Sequence, residues 1–430
     1  MGIYKQVYSL ILLILFSLYV VSVQANDSRP VGAVFVATNP DPTTGNNGIM
    51  MYLRAKDGTL TLAAGSPFLT QGKGTGLGYI VPPDALGSQG SLAVDKLNRF
   101  LFVVNAGSNQ ISVFKISRSG LTHIETVDSG GDFPNSIAVR NNILYVLNAA
   151  GNSNFKAFYI TLSGHLKPIP GASCDLQPPL NYWPVIFSGH PQETAMPGQI
   201  GFTPSGDKLV IIRKEGLTEP NPFGPLAGPG RIDVYQLGFL GLPVCSNPTA
   251  NINDRIPAGR FPFAFDFDDN GHLMVVEIFG SPSYDVSPFN AGAMSSYNVK
   301  NNGVLKVLTA SLPNNQTAIC WIKHAGNFVY ASNNFSDSIS LYKVDNKGSL
   351  SLLNYQAAIV GTPSNPSGFP LDLDITKDGR FLYQLVPGQG LVYAFSINKQ
   401  TGALTQIGTA SAGVPFTGQV GLTTADFGDK

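Results

Sequence analysis

The chain has 430 residues, 47 of them Gly and 31 Pro, a share above average usage but short of the ~25–30% that marks a disordered composition, so it is expected to fold. Only 13% of residues are Asp, Glu, Lys or Arg, and 27 Lys+Arg balance 27 Asp+Glu. That balance gives no excess of clustered cations for a phosphate backbone and argues against a nucleic-acid partner.

Residues Met1 to Ala25 read as an export signal, with Lys5 in a weakly positive start, an apolar run from Leu10 to Val23, and Val23-Gln24-Ala25 at a cleavage site. As a helix that run spans about 21 Å, too short for a hydrocarbon core of ~30 Å. The alternative is an uncleaved N-terminal anchor. No other apolar run approaches spanning length, so the expected product is secreted, periplasmic or at the cell surface, with no membrane span after cleavage.

From Ala33 onward a unit of about fifty residues returns. Ser91 to Asp95, Phe100 to Asn105, Ile111 to Ile116 and Leu121 to Val127 are four short apolar-rich runs separated by turn residues. The same four recur at Ser136 to Val139, Leu144 to Asn148, Phe155 to Ile160 and Leu166 to Pro170. Such runs, rich in β-branched and aromatic residues, are antiparallel strands of a meander. The first type recurs near Ser91, Ser136, Ile200, Phe263, Thr317, Leu371 and Val420, and the second near Ala33, Phe100, Leu144, Leu209, Leu273, Phe328 and Phe381. Each occurs seven times. The predicted fold is all-β, a seven-bladed β-propeller of four-stranded antiparallel blades filling residues 26–430 as one domain after the signal at 1–25.

The mature chain opens on a second-type strand, Ala33 to Ala37, whereas Gly418-Gln419-Val420-Gly421-Leu422 repeats the first-type pattern of Gly198-Gln199-Ile200-Gly201-Phe202. The C-terminal strand is therefore predicted to complete blade one and close the ring, removing an exposed sheet edge. Of the three cysteines, Cys320 lies in an apolar run and reads as a buried small hydrophobe. Cys174 and Cys245 each end an outer segment of neighbouring repeats, so a disulfide can join them.

The turns between first and second strands, and between third and fourth, are short. Every long insertion, Ala64 to Gln89, Asp175 to Pro197, Gly216 to Gly230 and Phe279 to Gly292, falls in the connections of the opposite face. Long loops on a rigid scaffold are where binding residues concentrate. Tyr182 and Trp183, set among prolines, are candidate stacking residues for a small molecule or glycan, or contacts for an envelope or extracellular partner; otherwise they pack the loops onto the ring. A monomer is expected.

Asp266 to Gly271 with Glu277 matches a calcium-loop pattern, but the pattern requires flanking helices and Leu273 to Val276 reads as a strand, so no metal is assigned. No cofactor motif is found. Of five histidines only His190 lies in a long loop of the candidate face. The ends of the second strands, Asn105, Asn148, Arg213, Lys214, Glu215, Glu277 and Asn333, are expected at the channel mouth, with the charged members either facing a polar or anionic ligand or pairing with one another. Sequons begin at Asn26, Asn315 and Asn334 and matter only in a glycosylating host.

The repeat, carried by Leu92 to Asp95, Phe100 to Asn105, Ile111 to Ile116, Asp266 to Glu277, Ala318 to Trp321 and Asp378 to Tyr383, resembles the lactonase-type seven-bladed propellers, the family of 6-phosphogluconolactonase and the carboxymuconate-cyclising enzymes. That resemblance implies a catalytic carboxylate at Glu215, whereas Gln199 and Ile200 stand where the family's Arg-His pair would be. Phe133 to Ser136 offers no counterpart to a further family His. The two functions that follow are a ligand- or partner-binding protein, with Gln199 and Lys214 among its contacts, and a divergent lactone hydrolase or cycloisomerase using Glu215, with Arg213 or Lys214 as electrophile and His190 as base.

Overall fold

The computed structural model describes residues 29–78, 84–176, 196–214, 230–238, 241–245, 257–279, 290–361, 368–413 and 417–428. The second strands of the repeats are continuous apolar runs because each is buried on both faces, between two neighbouring blades. Ala33 and Phe35 pack with Leu101 and Val103 on one side, while Val34 and Val36 pack with Tyr383 and Leu385 on the other. The same alternation sends Leu209 and Ile211 toward Tyr145 and Phe155, and Val210 and Ile212 toward Phe265 and Val275. A slip of one residue would exchange the two seams, which pins the register.

Seven antiparallel sheets result, in the predicted order around one axis. Blade two runs Leu92–Val94, Phe100–Asn105, Gln110–Ser117 and Gly120–Asp128; blade three runs Asp132–Arg140, Ile143–Ala150, Asn154–Ile160 and Leu166–Asp175. Blade four shows three strands among the described residues, Pro197–Phe202, Lys208–Arg213 and Arg231–Gln236, with a Leu237–Pro243 bridge at its outer side. Blades five, six and seven begin at Arg260–Phe267, Ile319–Ala325 and Leu373–Ile375, each with four strands. Blade one is closed as predicted: Val420–Asp426 pairs with Gly32–Ala37 as its innermost strand, with Gly32 opposite Asp426 and Val36 opposite Leu422. Among the described residues no helix is long and apolar enough to cross a membrane.

Polar latches tie blade to blade. At the outer rim Tyr330 Oη donates to the Gly402 carbonyl of the next blade at 2.8 Å, Tyr383 Oη to Gly58 at 2.8 Å, and Tyr145 Oη to Gly241. These turn glycines need their positive φ, +75° at Gly402 and +89° at Gly58, and a Cβ on either would strike the ring of Phe328 or Phe381 at about 2.5 Å. Cys174 and Cys245 form a disulfide between blades three and four, with Cα atoms 5.4 Å apart. Cys320 is buried and free.

A second set of latches surrounds the axis. An innermost strand has no neighbour on its inner edge, and its N–H groups are capped by side chains of the preceding blade. Ser136 Oγ accepts from Ile200 N (3.2 Å), Gln199 Oε1 from Phe265 N (2.8 Å), Asp266 Oδ2 from His324 N (2.9 Å), Asp372 Oδ2 from Gly421 N (2.8 Å) and Asp374 Oδ2 from Thr424 N (2.8 Å). Each satisfies a donor that the axis would otherwise leave unpaired.

Candidate functional site

All the long connections leave from one face, and beneath them the chain itself enters the axis. Segment 84–90, between blades one and two, lies against the innermost strands of four other blades. The Gln89 side chain donates to the Phe265 carbonyl (3.2 Å) and accepts from Ile322 N (2.9 Å), bridging blades five and six. Gln89 N donates to the Gly198 carbonyl at 3.0 Å, Ser88 Oγ to Asn135 O at 2.7 Å, and Trp321 Nε1 to Ser88 O at 3.0 Å. Asp84 Oδ1 accepts from Gly87 N at 2.8 Å and folds the segment on itself. This seven-residue run, Asp84 to Gly90, has no periodicity to betray such a role, and sequence reasoning missed it.

Lys214 meets this segment. Its ammonium donates to the Gly87 carbonyl and lies 4.9 Å from the centre of the Phe263 ring, with the side chain fully buried. The other described second-strand ends, Asn105, Asn148, Arg213, Glu277 and Asn333, expected at the channel mouth, are instead fully buried among polar partners. In a radial blade the side chains of a strand project toward neighbouring blades, and only the innermost strand's edge faces the axis. Asn105 is therefore buried within blade two, accepting from Thr70 Oγ1 (2.7 Å) and donating to Ser112 Oγ (2.7 Å). Asn148 donates to Asn154 Oδ1 at 2.8 Å, and Asn333 to Ser338 and Ser340 at 3.0 and 2.9 Å.

Arg213 and Glu277 occupy the same repeat position as those asparagines. Arg213 is paired with Asp233 at 3.4 Å, both fully buried, so the charges expected to face Glu277 or a ligand meet a partner on the adjacent strand. Glu277 Oε1 accepts from Gly259 N (2.9 Å), Ser295 Oγ (2.7 Å) and Tyr297 Oη (3.4 Å). Burial pushes this carboxyl up to about 7, against the opposing pull of Ser295, Gly259, Ser311 and Tyr297. Gln199, expected to contact ligand, is one of the axial latches. Tyr182, Trp183, His190 and Glu215 lie outside the described residues.

The axis holds a vestibule of about 440 Å³ with Gln89 and Gly90 in its wall. Asp266, Lys323, Asp372 and Arg140 line it with Phe202, Phe265 and Phe267. Lys323 Nζ sits 3.3 Å from Asp374, whose charge, with that of Asp266, holds the ammonium above its usual range. Burial pushes Asp372 to about 8, with Asp84 adding to the rise and Gly421 N–H opposing it. His324 is raised to about 9 by Asp266 and Asp269, against burial. Asp268 Oδ1 accepts from Asn270 N (3.0 Å) and His272 N (2.7 Å), so the calcium-like stretch is a hairpin turn with Glu277 buried at the far end of the following strand. Among the described residues no group of three or more His, Cys, Asp or Glu side chains is placed to hold a metal ion.

Comparison with known proteins agrees with this architecture. The model of the family described as lactonase, seven-bladed beta-propeller, matches residues 49–170 and 293–418. Among solved structures, the chain is similar to a candidate 6-phosphogluconolactonase from Bacteroides fragilis (18% identity, 94% of this chain and 99% of that one, TM-score 0.61). It is also similar to a protein from Lactobacillus plantarum (16% identity, 91% and 99%, TM-score 0.60) and to the periplasmic gluconolactonase of Pseudomonas aeruginosa (15% identity, 91% and 99%, TM-score 0.57). At these identities the likeness is one of fold. No curated protein matches the chain. With the matched segments making up more than half its length, and seven blades closed by the C-terminal strand, the chain belongs to the lactonase seven-bladed β-propeller family.

Proposed function

We propose that this propeller is exported and binds a ligand or partner through its long-loop face, without turning over a lactone at the ring axis. The observation that carries the reading is segment 84–90, which crosses the axis between blades five and six and takes the Lys214 ammonium as a partner. A lactone carbonyl would need that cation, or another electrophile, free to meet the charge developing on its oxygen. The family's Arg-His pair is replaced by Gln199, which caps Phe265 N, and by Ile200, which is buried. Export is supported by the Met1 to Ala25 signal pattern and by the Cys174–Cys245 disulfide, which belongs to an oxidising compartment. The resemblance to a periplasmic gluconolactonase is compatible with it. Tyr182 and Trp183, in the long connection between blades three and four, are the proposed contacts for a glycan, a small molecule or an envelope partner.

Membership of the family keeps a second reading alive, lactone hydrolysis or cycloisomerisation through Glu215 with His190 as base. Both are tested by assaying the mature protein on a panel of lactones beside Glu215→Gln, and on a glycan array beside Tyr182→Ala/Trp183→Ala. The binding reading expects no turnover above that of Glu215→Gln and array signal lost in the aromatic variant. Turnover abolished by Glu215→Gln would replace it with the enzymatic one.

A further inference from the structure

On the short-turn face, away from the long connections, the seam between blades six and seven opens into a groove of about 740 Å³. Three exposed lysines converge there: Lys343 from the third strand of blade six, Lys377 from the first turn of blade seven and Lys399 from its last turn. Asn327 and Gln400 add neutral donors beside the edge of Phe328. The acidic residues of the groove are already engaged. Asp269 Oδ1 lies 3.4 Å from His324 Nε2, and Asp378 accepts from Thr376 Oγ1 at 2.6 Å and faces Arg380 at 3.9 Å. None of the three lysines pairs with a carboxylate among the described residues.

His324 stands in the wall with Asp266 2.9 Å from its Nδ1 and Asp269 3.4 Å from its Nε2, so its charge is matched within the wall and the three lysines are the cations left facing the groove. The groove thus gathers positive charge in a chain whose cations and anions balance. A concave surface focuses such a field and raises the local concentration of counter-ions. Seam packing has no need of it, because the apolar contacts of Phe328, Tyr330 and Leu382 lie beneath.

We propose that this groove binds a small oligoanion, a ligand carrying two or more carboxylate, phosphate or sulfate groups on a polar backbone. Its volume falls within the ~300–1,000 Å³ of ordinary ligand sites. Lysine ammonium groups act as adaptable point charges for such anions, whereas the neutral amides supply orientation. The site is distinct from the long-loop face, so its failure would leave the reading of that face untouched.

The test is calorimetric titration of the mature chain with trigalacturonate, a carboxylate source, and with inositol hexakisphosphate, a phosphate source, at low and at physiological ionic strength. At least one probe is expected to bind, more weakly as salt rises. Lys343→Gln/Lys377→Gln/Lys399→Gln is expected to lose about tenfold or more in affinity with an unchanged melting temperature. A control triple, Lys115→Gln/Lys167→Gln/Lys306→Gln, removes the same charge from exposed positions elsewhere and is expected to bind as the parent does. The probe that binds identifies the anion source. Absence of binding by either probe at low ionic strength, or equal weakening in both triples, would overturn the proposal.

Discussion

Glu277→Gln tests the energetics of the buried polar layer. The wild-type carboxyl is raised by burial to about 7 from its usual 4.5. Below 4.5 the folded and unfolded states are both protonated, and the buried acid costs no ionisation. Between 4.5 and about 7 the unfolded chain releases its proton while the folded chain keeps it, so the folded state loses stability as pH rises and the loss is complete above about 7. At about 1.36 kcal/mol per pH step the difference amounts to roughly 3 kcal/mol. Spread over the unfolding entropy of a chain this long, that is a shift of about 4 °C in melting temperature. The variant cannot ionise, and the difference in melting temperature between Glu277→Gln and wild type should change in the variant's favour by that amount between pH 4.5 and 8. Taking the difference cancels other titrating groups, including Asp372. A parallel pH course in the two proteins would refute the reasoning, because it would mean that Gly259, Ser295, Ser311 and Tyr297 hold the carboxylate ionised in spite of its burial.

Gln89→Leu should leave the Phe265 carbonyl and the Ile322 N–H without their partner at the axis. With about 1–3 kcal/mol for each stranded group, denaturant melts should report a loss of roughly 2–6 kcal/mol, and a loss below about 1 would remove segment 84–90 as a structural plug. Breaking the disulfide with Cys174→Ser frees a loop of sequence separation 71 in the unfolded chain. The chain-entropy relation gives about 4 kcal/mol for this, which reduction of the wild type should reproduce and reduction of the variant should not.

The blades were legible because their signals are physical and local. Burial on both faces makes the second strands continuous apolar runs, and Asp-Gly and Asn-Gly turns mark the hairpins between them. The closing strand was legible because Gln419-Val420-Gly421 repeats Gln199-Ile200-Gly201, whereas the sequence left the Cys174–Cys245 disulfide open and the structure forms it. The site was harder to read. Asn105, Arg213 and Glu277 look like mouth residues by position along a strand, yet their side chains turn into the seams. The charges that do line the axis, Arg140, Asp266, Lys323 and Asp372, lie on or beside innermost strands whose polar residues resemble ordinary turn flanks. Segment 84–90 acquires its role only from strands up to 233 residues away in the chain, which no local pattern encodes.

The pairing of Gly32 with Asp426 also fixes how the molecule can be held. Arg118 joins the first and last described segments, donating to the Pro30 carbonyl at 2.9 Å and the Gly428 carbonyl at 2.6 Å, on the face of the short turns. A tether attached beside Pro30 or beside Gly428, whether to a sensor chip, a fusion partner or an envelope, would leave from the same face. The strand ends from which the long connections leave would then face away from the support, and the lysine groove would look back toward it.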